Sequence, residues 1–228
     1  MHYELTLCQL KDGLLLGTDA MMLADFVCDG HMGAYDAGVE LGTGSGVISL
    51  LLARRGKIKN IYAVEIQEIY ASLAEHNVET NGLSDRIKII RGDLKDCDNL
   101  YFGEMRMLPH FADVVFANPP YLKAAPSGKL SDLDHRNISR REILCTISDV
   151  LKSAGRFLKN GGDFYAVYRP DRLQSLFSAM AEHGITPKKI AFVYAGGQKS
   201  KFAGLVLAKG KKGAKEGLTV ENIHIGGD

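Results

Sequence analysis

The sequence predicts an α/β fold: a doubly wound, mostly parallel sheet with helices on both faces and an antiparallel closing strand. Two observations predict it. Short runs rich in Val, Ile, Phe and Tyr recur at Val39–Leu41, Ile61–Glu65, Ile87–Arg91, Asp113–Ala117 and Phe164–Tyr168, and segments of helical period lie between them. The first four runs each end at glycine or at a polar residue, which is where open α/β sheets gather ligands, at the carboxyl ends of their strands.

Composition bounds the rest. With 228 residues, 46% of them hydrophobic, the chain reads as one domain that buries roughly 70% of its unfolded surface. Residues 1–37 are expected to form a hairpin and a capping helix, 38–208 the core, and 209–228 a basic tail. Cys8, Cys28, Cys97 and Cys145 are scattered without a Cys-x-x-Cys pair, which argues against a zinc site and for a reducing compartment. No apolar run reaches the roughly 18 residues of a membrane helix, and Met1–Glu4 lacks a signal pattern, so the chain reads as cytoplasmic, with no membrane and no metal partner. A net charge of +1 is not that of a strongly basic nucleic-acid binder. The basic residues cluster, however. Lys123, Lys129, Arg136, Arg140 and Arg141 form one group, and Lys199, Lys201, Lys209, Lys211, Lys212 and Lys215 another, each either a phosphate-facing surface or a solvated face.

Taken in order, Lys11-Asp12-Gly13 centres a small hairpin. Thr18 or Asp19 caps a helix through about Cys28. Val39-Glu40-Leu41 enters the turn Gly42-Thr43-Gly44-Ser45-Gly46, and the helix Val47 to Arg55 follows. The glycines let the backbone bend tightly and approach a ligand. Their spacing is Gly-x-Gly-x-Gly. A dinucleotide fingerprint needs a glycine where Val47 stands, and a P-loop needs a lysine, so both are disfavoured. Glu40 sets a carboxylate at the mouth of this turn, suited to a cationic amino group.

The strand Ile61–Glu65 ends 19 positions after Gly46 in a carboxylate. Glu65 either accepts from the two hydroxyls of a ribose or simply meets the dipole of the helix Glu68 to Asn81, which Gly82 closes. After the strand Ile87–Arg91, Asp93 either accepts from an adenine amine, with Leu94 lining the ring, or is a plain turn residue. Lys95 to His110 reads as a polar excursion, Lys123 to Asn137 as a loop over the substrate, and Ile138 to Leu158 as a helix ended by Lys159-Asn160-Gly161-Gly162. Arg172 to His183 is a further helix. Ile190–Tyr194 and Leu205–Ala208 close the sheet as an antiparallel pair, and Thr219 to Ile225 looks only briefly strand-like.

The stretch with most chemical content is Asn118-Pro119-Pro120-Tyr121. Two prolines stop the strand sharply and fix the local backbone. The Asn118 side-chain oxygen and the Pro119 carbonyl can accept both protons of one planar NH2 group, and Tyr121 offers a stacking face. Holding both protons turns the nitrogen lone pair outward toward an electrophile. The plain alternative is a strand-ending turn with a surface aromatic.

Together the glycine turn and the Asn-Pro-Pro-Tyr stretch resemble S-adenosylmethionine-dependent amino-group methyltransferases of the class I, seven-stranded, Rossmann-like fold, over roughly Gly17 to Leu207. Leu14 to Ala20 and Ala166-Val167-Tyr168-Arg169-Pro170 are further similar to bacterial tRNA adenine-N6 methyltransferases that modify the adenosine just after the anticodon of a valine tRNA. The resemblance implies S-adenosyl-L-methionine as cofactor and tRNA as partner. It assigns Glu40, Gly42, Gly44, Gly46, Glu65, Asp93 and Leu94 to the cofactor, and Asn118 to Tyr121 to the acceptor. Gly17-Thr18-Asp19 looks like the segment closing over the cofactor's methionine end, unless Thr18 and Asp19 merely cap the helix. Protein glutamine-N5 methyltransferases share the clamp but usually carry an N-terminal helical domain, for which residues 1–37 leave no room. A non-catalytic cofactor- or RNA-binding module would be expected to have a degraded clamp, and this one is intact.

Overall fold

A computed structural model of the chain describes residues 4–11, 17–119, 145–195 and 201–225. Its centre is an eight-stranded sheet in the order β10-β8-β9-β7-β6-β1-β2-β3. The strands are β1 (Tyr35–Leu41), β2 (Ile58–Glu65), β3 (Ile87–Arg91), β6 (Ala112–Ala117), β7 (Leu158–Tyr168), β8 (Ile185–Ala195), β9 (Leu205–Lys212) and β10 (Thr219–Ile225). A separate two-stranded ribbon pairs β4 (Tyr101–Phe102) with β5 (Met105–Arg106). Within the large sheet β9 alone runs antiparallel, to β7 on one side and β8 on the other.

Alternation along the strands fills two apolar layers. Val114 and Phe116 of β6, with Tyr165 and Val167 of β7, face the helices Thr18–Asp29, Val47–Arg54 and Glu68–Thr80. Val115, Ala117, Phe164, Ala166 and Tyr168 face Ile147–Phe157 and Leu173–Glu182. The parallel strands are buried on both sides, hence their nearly continuous apolar runs.

Several expectations need correction. The sheet has eight strands, not seven, because Thr219–Ile225 is a full strand paired in parallel with β8. Ile223 and Ile225 pack on the apolar layer, so this part of the expected tail belongs to the sheet, and β9 itself runs on to Lys212. The preceding helix does end just before Lys159 to Gly162, at Phe157, but this segment is itself extended. It is the start of β7, where the register with β6 shifts between Ala112 and Val114. That helix begins at Ile147 behind a capping box in which Thr146 and Asp149 satisfy each other's backbone donors. Residues 120–144, with the expected loop and the first part of that helix, lie outside the described residues. The excursion after Leu94 is not simply polar: Tyr101, Phe102, Met105 and Leu108 are exposed apolar side chains on and beside the ribbon. Thr18 and Asp19 do not cap their helix, whose N-cap is Gly17 without a side-chain bond. The expected hairpin turn at Asp12-Gly13 lies outside the described residues, and residues 4–10 form no strand.

β10 covers the edge of β8, and an uncovered edge is open to further pairing. A chain ended after Gly217 should lose about 1–3 kcal/mol in denaturant unfolding and elute partly as larger species in size exclusion. Unchanged stability would mean that β10 adds nothing to the sheet.

Candidate active site

The register sets four strand ends on one rim. Leu41 lies level with Val64 and with Ala117, and Glu65 with Arg91. Gly42, Glu65, Asn118 and Gly92 therefore leave the sheet side by side, with Asp93 next along the chain.

The glycine turn is folded back onto β2. Gly42 and Thr43 both donate their backbone N–H to Val64 O at 2.9 Å. Gly44 N donates to Glu65 Oε2 at 2.9 Å, and Gln67 N donates to Glu65 Oε1 at 2.9 Å. Gly44 adopts φ +57°, where a side chain is strained, yet a Cβ built there would meet nothing within 4 Å. The turn thus leaves open space above its backbone. Burial pushes the Glu65 carboxyl up from its ordinary range, and the N–H groups of Gln67, Gly44 and Ile66 oppose that shift.

Glu40 is 1% exposed. Its Oε2 accepts from Thr43 Oγ1 at 2.7 Å and from Ser49 Oγ, while Oε1 is buried without a hydrogen-bond partner. Burial pushes this carboxyl up to about 7, against the hydrogen bonds from Ser49 and Thr43. Neither hydroxyl drew notice in the sequence.

Asn77 was also missed. Fully buried on the Glu68–Thr80 helix, it accepts from Cys8 N at 2.8 Å and donates to Cys8 O at 3.0 Å and to Ser45 O at 2.9 Å. One turn on, Asn81 exchanges the same pair of bonds with Thr6, at 3.1 and 2.8 Å. Two amides four residues apart share a helix face and read the backbone of residues 6–8 as a neighbouring strand would. The i, i+4 asparagines were the available signal.

Asp93 Oδ1 accepts from Lys95 N at 2.9 Å and caps a single 3₁₀ turn, as the turn reading of this residue expects. Leu94 is 8% exposed and packed in the apolar layer, and its carbonyl accepts from Ser153 Oγ at 2.7 Å. On the acceptor side Asn118 Nδ2 donates to Asp19 Oδ2 at 3.2 Å, which brings the first turn of the Thr18–Asp29 helix against the end of β6. Pro119 is buried. Pro120 and Tyr121 lie outside the described residues.

Lys209, Lys211 and Lys212 do not flank this rim, whereas Lys201 is exposed in the connection that follows the carboxyl end of β8. Lys209 and Lys211 reach the buried Asp163 at 3.2 and 3.0 Å, and Lys212 donates to Gly155 O and Leu158 O, near where β7 starts. Lys123, Lys129, Arg136, Arg140, Arg141 and Lys199 lie outside the described residues.

Comparison with known proteins agrees with this geometry. A family model described as RNA cap guanine-N2 methyltransferase matches residues 39–125. An Agrobacterium tumefaciens crystal structure, of a protein described as a predicted O-methyltransferase, superposes with a TM-score of 0.67 at 20% identity, covering 91% of this chain and 87% of that one. The fold is the mostly parallel α/β fold of class I methyltransferases.

Among curated relatives, a tRNA1(Val) (adenine(37)-N6)-methyltransferase of Bacteroides thetaiotaomicron is 30% identical over 182 residues, 79% of this chain and 70% of the relative. One from a Flavobacteriaceae bacterium is 27% identical over 157 residues, and the match spans 68% of this chain and 62% of that relative. The chain belongs to the tRNA1(Val) (adenine(37)-N6)-methyltransferase family. The residues present fit S-adenosylmethionine, the cofactor that the sequence resemblance implies. Glu40 Oε1 is a buried acceptor without a donor, Glu65 has lone pairs beyond the two that its backbone donors use, and the glycine turn has no side chain above it.

Two outcomes follow. Glu40 titrates near 7 in the folded chain and near 4.5 unfolded, so folding favours its neutral form; that contribution is full below about pH 4.5 and is lost as pH rises through 7. Glu65 acts in the same direction. Thermal unfolding of the cofactor-free protein should show stability falling between these pH values, and E40Q should flatten the slope. Asn77→Leu removes three part-buried hydrogen bonds to backbone and should cost about 1–3 kcal/mol, with weaker cofactor binding in calorimetry because Ser45 loses its anchor.

Proposed function

We propose that this chain transfers a methyl group from S-adenosylmethionine to N6 of an adenosine in tRNA, at the position in valine tRNA that the family name gives. The observation that carries the reading is the placement of Asn118. It directly follows β6, beside the ends of β1 and β2 from which the open glycine turn and Glu65 leave the sheet, so an acceptor held there lies next to the residues proposed for the cofactor.

When bound, the cofactor supplies an electrophilic methyl group. The protein's share is positioning. Adenosine in a folded tRNA must leave its stack to reach such a corner, and Tyr121 is the residue on which it would stack. Asn118 Oδ1 and the Pro119 carbonyl accept the two N6–H protons and so fix the direction of the nitrogen lone pair. No strong base is required, because the amine proton becomes acidic only as the new N–C bond forms, and fixed geometry supplies most of the acceleration. Glu40, Glu65 and Asp93 bind through acceptors, which suits amino, hydroxyl and exocyclic-amine groups. Among the described residues no helix is long and apolar enough to cross a membrane, and no group of three potential ligands could hold a metal ion. We place the reaction in the cytoplasm, where tRNA is modified, with no metal in the scheme.

The test is incubation with methyl-labelled cofactor and separate pools of tRNA, rRNA, DNA and protein. Label should appear as N6-methyladenosine in tRNA. Label confined to glutamine side chains of protein would replace this reading with glutamine-N5 methylation. Asn118→Ala should lower turnover by about 100-fold or more while cofactor affinity stays within about threefold.

A further inference from the structure

We infer that Asp19 is a positioning residue for the acceptor rather than a ligand of the cofactor: its carboxylate fixes which end of the Asn118 amide faces the substrate. The inference rests on the proposed reaction.

An asparagine amide has two nearly isosteric ends, one accepting and one donating, and only the accepting end can hold an amine's proton. Turned the other way, the NH2 would oppose the N–H groups it has to bind. Something must select the orientation. Asn118 Nδ2 donates to Asp19 Oδ2 at 3.2 Å. A carboxylate has only acceptors to offer, so it holds the nitrogen end and leaves Oδ1 for the substrate. The other oxygen, Asp19 Oδ1, accepts from Ala20 N at 2.9 Å, which fixes the carboxylate within the first turn of its own helix.

The chain makes room for this arrangement. A Cβ on Gly17 would meet Asp19 Oδ1 at 2.1 Å, although Gly17 has φ −91°, which any residue tolerates. A side chain at position 17 would therefore displace the Asp19 carboxylate, although the backbone there would accept one. Asp19 is not the helix cap, so capping does not account for it.

Three measurements test the assignment. In the free protein, the Asn118 side-chain 15N–1H pair, identified by its loss in N118A, should shift in both D19A and G17A. D19A should lower kcat about 10- to 100-fold, the range of a charge-assisted hydrogen bond, with KM for substrate and cofactor affinity within about threefold. The exchanged pair D19N/N118D should recover at least about tenfold over N118D alone, since the amide introduced at position 19 can donate to the carboxylate introduced at position 118 and leave one oxygen for the substrate. Wild-type kcat in D19A, cofactor affinity falling as far as kcat, an unmoved Asn118 resonance, or no recovery in the exchanged pair would each overturn the assignment. If the wild-type protein methylates a glutamine amide instead of tRNA, the substrate reading fails, and the Asp19 test is scored on that amide.

Discussion

The Glu65 carboxylate is the joint on which the site depends. It ends β2, is 6% exposed, and accepts one backbone N–H from the glycine turn and one from the segment leading into the next helix. A buried carboxylate is costly unless its oxygens are satisfied, and these two donors satisfy it while welding the turn to the neighbouring strand. The weld dictates local sequence. Gly44 must point its N–H at Glu65, which it does at a φ of +57°, a region that side chains rarely adopt. The carboxylate has about four lone-pair sites, so holding the turn and holding a ribose are compatible tasks for one residue.

A second brace acts from the other side of the turn. Ser45 O is held by Asn77, whose remaining amide capacity is spent on Cys8. The same side chain that steadies the glycine turn thus fixes Cys8 against the Glu68–Thr80 helix. With Glu65 on one side and Asn77 on the other, the turn is held by buried polar groups that would be left unsatisfied by any large displacement. Preorganisation of this kind keeps binding energy from being spent on ordering the loop.

What could be read from the sequence were the strand ends. Leu41 to Gly42, Glu65, Arg91 to Asp93 and Ala117 to Asn118 are abrupt changes from apolar to polar or glycine, and a parallel sheet buried on both faces makes such changes visible. Ile87–Arg91 falls where the pattern put it. The misses concern pairings at long range. Lys209, Lys211 and Lys212 look like a free basic cluster until the β7–β9 register sets Lys211 opposite Asp163. Asn77 looks like any polar helix residue, since a side chain that mimics a strand leaves no periodic trace. Asp19, two residues inside its helix, reads as a cap, and only the fold brings it to Asn118, 99 positions away. β10 was obscured by the Gly- and Lys-rich stretch before it, although Ile223 and Ile225 already alternate.

The two ends of the sheet also differ in charge logic, and the difference bears on ligand choice. At the far end, Asp163 is met by Lys209, Lys211 and the Tyr35 hydroxyl, so its charge has cations of the protein beside it. At the site end, Glu40, Glu65, Asp93 and the Asn118 oxygen offer acceptors, and among the described residues the glycine turn carries no lysine or arginine. A fold of this topology that binds a dinucleotide turns backbone N–H groups and a helix N-terminus toward phosphate. Here the Gly44 N–H is spent on Glu65, and the Gly42 and Thr43 N–H groups on Val64 O. A ligand that presents a cationic amine, ribose hydroxyls and an exocyclic amine, with no phosphate, is the complement of such a rim. In the proposed reaction the acceptor amine extends the same logic to Asn118, which would have to keep its oxygen outward to complete it.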